Sequence, residues 1–158
     1  MSKHDLTWQA AAFGAIAGMR ASSAPALLSN HYCKHPANLK KSRLNWFCSA
    51  KTSGILSAMA AGEVLGDKLP AAPDRIAPAG LIGRAVSGGL AGTVLDKATG
   101  SRHPYAPWIG AGAAIAAAFA SFYTRKALSE RIADRKVAVM EDLLVYGVGA
   151  LLTRSLLR

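Results

Sequence analysis

Gly54-Ile-Leu-Ser-Ala-Met-Ala-Ala-Gly-Glu63-Val-Leu-Gly-Asp67-Lys68-Leu-Pro70 is the stretch whose reading decides the fold. It is apolar and rich in small residues, and it carries one carboxylate, Glu63, a single helical turn before Asp67-Lys68 and Pro70 would end a helix. A helix on the surface of a soluble domain would show a polar stripe here. This stretch instead repeats small residues at Ala58, Gly62 and Gly66, the spacing that lets two helix backbones approach closely in lipid. It predicts a membrane-crossing helix over about 48–69, with an ionisable group turned toward protein.

Working outward, four more segments have the same character. Segment 6–28 is apolar apart from Gln9, Arg20 and Ser22-Ser23, with Gly14 and Gly18 in a GxxxG pair and Pro25 placed to kink its last turns. Segment 79–97 contains Arg84 and the glycines Gly88 and Gly92. Segment 108–124, with Gly110 and aromatic residues at both ends, is the cleanest, and segment 137–154 places Glu141-Asp142 just inside its start. The expected fold class is therefore all-α: a polytopic membrane protein of about five short, Gly/Ala-rich helices forming one domain over 1–158. A soluble bundle of short Ala-rich helices is the rival, but no segment offers it a long polar face, and no period-2 stretch points to strands.

The charge of +10 does not point to nucleic acid, because the basic residues gather between the apolar blocks, as they do in loops at anionic headgroups. The expected partners are the lipid bilayer and other copies of the chain, a dimer among the possibilities, and the expected location is the cell inner membrane as a multi-pass protein. With five crossings, nine Lys/Arg fall on the side of the connector after the first segment and eight on the other. That balance leaves orientation open.

Charged side chains inside a membrane are expensive and mark candidate functional sites. Glu63, Arg84 and Glu141 are each about 6–8 Å inside one boundary when counted along their helices. Arg20 is deeper, and Asp67 and Asp142 flank the two glutamates. These six residues are expected to pair into one charge cluster that carries a proton, a cation or a small solute. In the competing reading, a non-transporting scaffold or assembly protein, the same charges only lock helices together. Gly14, Gly18, Gly62, Gly66, Gly88, Gly92 and Gly110 are expected to serve helix packing.

His31-Tyr-Cys33-Lys-His35 would point His31, Cys33 and His35 one way if extended, and Cys48 would complete four N/S ligands for zinc or copper, although the spacing matches no standard site. Ser22 and Ser23 lack a histidine near their depth, and Gly89-Leu-Ala-Gly92-Thr lacks phosphate-loop spacing. Neither an enzymatic activity nor a cofactor is expected.

The order Gly14-x-x-x-Gly18-x-Arg20 with Pro25, then Glu63-x-x-x-Asp67-Lys68-x-Pro70 and Asp74, then Gly83-Arg84, and finally Glu141-Asp142-Leu143 resembles domain-of-unknown-function family 4126. These are small, mostly bacterial integral-membrane proteins. The resemblance covers nearly the whole chain and maps the family's pattern onto Arg20, Pro25, Glu63, Asp67, Lys68, Pro70, Glu141 and Asp142. The Lys-rich connector with His31, Cys33 and His35 departs from it. The resemblance implies a membrane protein and brings no activity with it.

Overall fold

A computed structural model describes residues 3–66, 77–100, 103–129 and 134–156. Among the described residues every regular element is helical: α1 Lys3–Met19, α2 Ser23–Lys34, α3 Ala50–Gly66, α4 Pro78–Thr99, α5 Ala106–Ser129 and α6 Asp134–Ser155, with two short 3-10 turns between α2 and α3. The chain is all-α. Local signals account for several of the boundaries. Pro78 opens α4 at a position where a missing N–H costs nothing, and Gly100 closes it in the left-handed conformation (φ 69°).

The centre is a three-helix contact of α1, α4 and α5. It is close because glycines face backbone. A Cβ on Gly14 would meet Gly110, one on Gly18 would meet Ala114, and one on Gly92 would meet the Ala106 carbonyl. Gly88 and Gly110 face each other, and neither has room for a methyl group. Phe13, Leu28, Leu39, Phe47, Val94 and Leu95 fill the surrounding core. Gly62 and Gly66 differ from that expectation, because nothing lies within 4 Å of where their Cβ atoms would be. The reason is the face α3 uses: Ser53, Ala60 and Glu63 turn inward, which leaves Ala58 and Gly62 outside.

Segment 6–28 is not one helix. It breaks at 20–22, and the chain turns back on itself. Contacts along the two arms fix their directions. Gly14 and Gly18 pack on Gly110 and Ala114, so α1 runs alongside α5. α2 then returns: Ala21 and Ser22 meet Glu63, while Asn30 bonds Ser53. At the foot of α2, Asn38 donates to the Ala98 carbonyl at 3.2 Å, beside the end of α4. α1 and α2 therefore form a helical hairpin whose tip lies inside the bundle. Residues 115–129 of α5 continue about 22 Å past that tip. α6 runs parallel to α2, with Asp142 at Arg20, Tyr146 at Ser23 and Gly149 at Leu27. The start of α1 and the end of α6 thus lie at the same end of the bundle, whereas five crossings would separate them.

Among the described residues, α5 is the one helix long and apolar enough to cross a membrane by length and composition. α4 and α6 are 22 residues each but carry Arg84, Asp96 and Lys97, and Glu141 and Asp142, respectively. The remaining helices are shorter. The surface is nonetheless apolar in many places: Leu65, Ile82, Val86, Trp108, Leu143 and Leu151 are 64–76% exposed, while Arg20 and Arg84 are 0% and 7% exposed.

Candidate functional site

The hairpin tip, residues 18–23, gathers most of the charges singled out in the sequence. Breaking a helix frees backbone groups, and buried ones need partners. The last N–H of α1's run is satisfied by Arg20 donating to the Ile16 carbonyl at 2.8 Å, and Ser23 donates to the Arg20 carbonyl at 3.1 Å. Two amides in the turn itself, of Ala21 and Ser22, donate to Glu63 Oε1 and Oε2, each at 2.8 Å. Ser22 is the N-cap of α2 but makes no side-chain cap bond. Glu63 takes that place from another helix, and its negative charge faces the positive end of the α2 dipole. Pro25, in the first turn of α2, has no N–H to leave unsatisfied, so it suits a helix start rather than a kink.

The carbonyl side of the turn is held by α4. Arg84 Nε donates to the Gly18 carbonyl at 3.0 Å and Nη1 to the Gly80 carbonyl at 3.2 Å. Ser87 Oγ donates to the Ala21 carbonyl. From the remaining side, α6 supplies Asp142, which forms an ion pair with the fully buried Arg20. Ser23 Oγ lies 3.4 Å from the Tyr146 hydroxyl one turn further along.

The expected single cluster of Glu63, Arg84 and Glu141 is therefore corrected. Glu63 and Arg84 grip opposite polarities of the same backbone turn, carboxylate to N–H and guanidinium to C=O, instead of pairing with each other. Arg20 joins them at the tip. The acidic residue of α6 that reaches it is Asp142, while its neighbour Glu141 faces away into a cleft. Asp67 lies outside the described residues. Sequence reading missed Ser87 and Tyr146, whose types carry no signal of their own. It also missed the turn itself, although Ser22-Ser23-x-Pro25 is a helix-start pattern.

The cleft lies between α5 and α6 and holds about 400 Å³. Ala117, Ala120, Leu128, Val137 and Leu144 give it apolar walls, Arg125 and Glu141 line it from either side, and Met19 reaches it from the hairpin. Met19 and Glu141 are the sequence neighbours of Arg20 and Asp142, but neither Arg20 nor Asp142 lines the cleft.

The metal expectation at His31, Cys33, His35 and Cys48 is corrected by conformation. α2 stays helical through Lys34, so residues two apart face nearly opposite ways. The His31 and His35 rings are neighbours, centroids 5.4 Å apart, and Cys48 Sγ contacts the Pro36 carbonyl at 4.0 Å. No group of three His, Cys, Asp or Glu that could hold a metal occurs among the described residues.

No family model matches the chain, and searches of curated proteins and of solved structures find no significant match.

Proposed function

We propose that this chain is a small multi-pass protein of the cell inner membrane, transporter-like or channel-like, that moves a proton, a cation or a small solute. The observation that carries this reading is the interrupted helix. Its turn is half-buried, held by charged side chains from three other helices, and neighboured by a cleft lined by Met19 and Glu141. Interrupted helices pointing freed backbone groups at a buried site recur in transporters, and irregular backbone is tolerated at membrane depth where protein surrounds it. Apolar side chains outside and buried guanidinium groups within support a lipid surrounding.

In this reading the α1–α2 hairpin is a re-entrant element, and α3 to α6 cross. The start of α1 and the end of α6 then share one side with the connector. Leaving aside the buried Arg20 and Arg84, eight Lys/Arg among the described residues lie at that end (Lys3, Lys34, Lys40, Lys41, Arg43, Lys51, Lys97, Arg154) and four at the other (Arg125, Lys126, Arg135, Lys136). The positive-inside rule then places the connector end in the cytoplasm. Membership of family 4126 belongs to the same proposal and rests on the motifs alone. So does a homo-oligomer, for which the open Gly54 and Gly62 face of α3 offers a seat.

A scaffold that moves nothing is the second reading. What favours it is saturation: Glu63 is occupied by two amides, Arg84 by two carbonyls and Arg20 by Asp142. Ion flux into proteoliposomes separates the two. Transport predicts flux above empty liposomes that falls in Glu141→Gln, whose side chain lines the cleft. Absence of flux across monovalent cations, divalent cations and small anions, under a pH gradient, would leave the scaffold.

A further inference from the structure

The connector end carries a second feature that the transport reading does not use. Residues 29–51 contain five Lys/Arg and no Asp or Glu, and residues 143–158 also lack acids. The parallel course of α2 and α6 brings the last turns of these two helices together. Between them lies a cleft of about 320 Å³ whose rim is formed by Lys34, His35 and Arg154, with His31 beside them. Leu27 and Ala150, one to two turns deeper, form its apolar floor. Among the described residues, Lys34 and Arg154 have no carboxylate within ion-pair distance. Asp96, an acid at this end, is buried and engaged, accepting the His103 N–H at 2.7 Å and facing Lys97 at 3.6 Å. The other polar residues of the cleft are also occupied: Asn30 bonds Ser57 and the Ala26 carbonyl, and Thr153 bonds the Gly149 carbonyl.

We propose that the α2–α6 cleft seats the phosphate of an anionic phospholipid headgroup, held by Lys34 and Arg154 with His35, while its acyl chains follow Leu27, Ala150 and the exposed Leu151. The charges of Lys34 and Arg154 are of one sign, come from two helices and have no carboxylate partner among the described residues, which suits a phosphodiester anion. The apolar floor favours a lipid over a free anion, because a hydrated ion gains nothing from Leu27 and Ala150. Exposed Trp46, carried by the connector, adds an interfacial anchor. The bound lipid would bridge the hairpin arm α2 to α6, the same two elements joined deeper in by Ser23 and Tyr146.

This inference rests on the membrane reading, and its test keeps the two apart. Protein purified in mild detergent is titrated with phosphatidylglycerol, with phosphatidylcholine of identical chains, and with inorganic phosphate. Bound lipid is read by native mass spectrometry and the melting temperature is followed in parallel. Phosphatidylglycerol is expected to bind about tenfold tighter than phosphatidylcholine. The double substitution Lys34→Gln/Arg154→Gln should abolish that preference without lowering the lipid-free melting temperature, since both side chains are exposed and unpaired. Lys126→Gln/Lys136→Gln, at the other end, should leave the preference intact. Equal binding of both lipids, an undiminished preference in the Lys34/Arg154 variant, or equal stabilisation by inorganic phosphate would overturn the proposal. A protein recovered folded without detergent would instead remove the membrane reading beneath it.

Discussion

The carboxylate of Glu63 accepts the backbone N–H of Ser22 at 2.8 Å across 41 residues of sequence, and so caps a helix to which it does not belong. Its other oxygen takes the N–H of Ala21. With that cap, a helix can end and restart inside the bundle without leaving two half-buried amides unsatisfied.

The first prediction concerns this cap. Glu63→Ala strands both amides and should cost about 2–3 kcal/mol of stability. Glu63→Gln keeps an acceptor and should cost less. Thermal melting in detergent checks both, and an Ala variant as stable as the parent would show that other groups hold the turn.

The second concerns the tie between hairpin and α6. Arg20→Leu leaves Asp142 without its cation and should destabilise by about 3–5 kcal/mol. The double variant Arg20→Leu/Asp142→Leu should recover much of that loss, because neither charge is then left alone. A double-mutant cycle measures the coupling, and simple additivity of the two single substitutions would count against a working pair.

The third contrasts glycines that look alike in sequence. Gly88→Ala puts a methyl group against the Gly110 carbonyl and the Ala114 side chain, so it should destabilise by at least about 2 kcal/mol. Gly62→Ala meets open space inside a helix and should be neutral or stabilising by up to about 1 kcal/mol in the isolated protomer. Paired melting curves decide this.

These glycines also mark what the sequence reveals. Small-residue spacing identified Gly14, Gly18, Gly88, Gly92 and Gly110 as packing positions, because that spacing is the physical requirement for close backbones. The same spacing at Gly62 and Gly66 carried no information on which face of α3 turns inward; Ser53, Ala60 and Glu63 decide that through tertiary contacts. Counting residues along helices put Glu63 about 6–8 Å inside one boundary and Arg20 deeper, but it treated 6–28 as one helix. The turn at 20–22 depends on partners 41–123 residues away, and periodicity does not report such partners. Asp142 over Glu141 is a rotational choice of α6 and is likewise set by packing.

The fourth prediction is a pH dependence at the connector end. His31 lies beyond the apolar part of the hairpin, and burial, then the neighbouring His35, hold its imidazole below the ordinary value of 6.5. The other groups around its two clefts are Lys34, His35 and Arg154, which disfavour a further positive charge, and Tyr32. A histidine with a depressed folded-state value binds its proton more readily when unfolded. The contribution of His31 is therefore fully present above about pH 6.5 and is lost as pH falls toward the lowered value. In detergent without anionic lipid, melting temperature should drop across that window, and His31→Gln should flatten the drop. A parent and variant that follow the same curve would exclude His31 as the cause.

The central claim is that α1 and α2 form a hairpin that returns to its own side of the membrane. Labelling from one side tests it most directly. In a Cys33→Ser/Cys48→Ser background, single cysteines are placed at Asp5, Lys41 and Lys126, all exposed, and sealed vesicles are treated with a membrane-impermeant maleimide. Asp5→Cys and Lys41→Cys should label from the same side and Lys126→Cys from the other. Labelling of Asp5→Cys and Lys41→Cys from opposite sides would mean that residues 6–28 cross as one helix, and the hairpin would not stand.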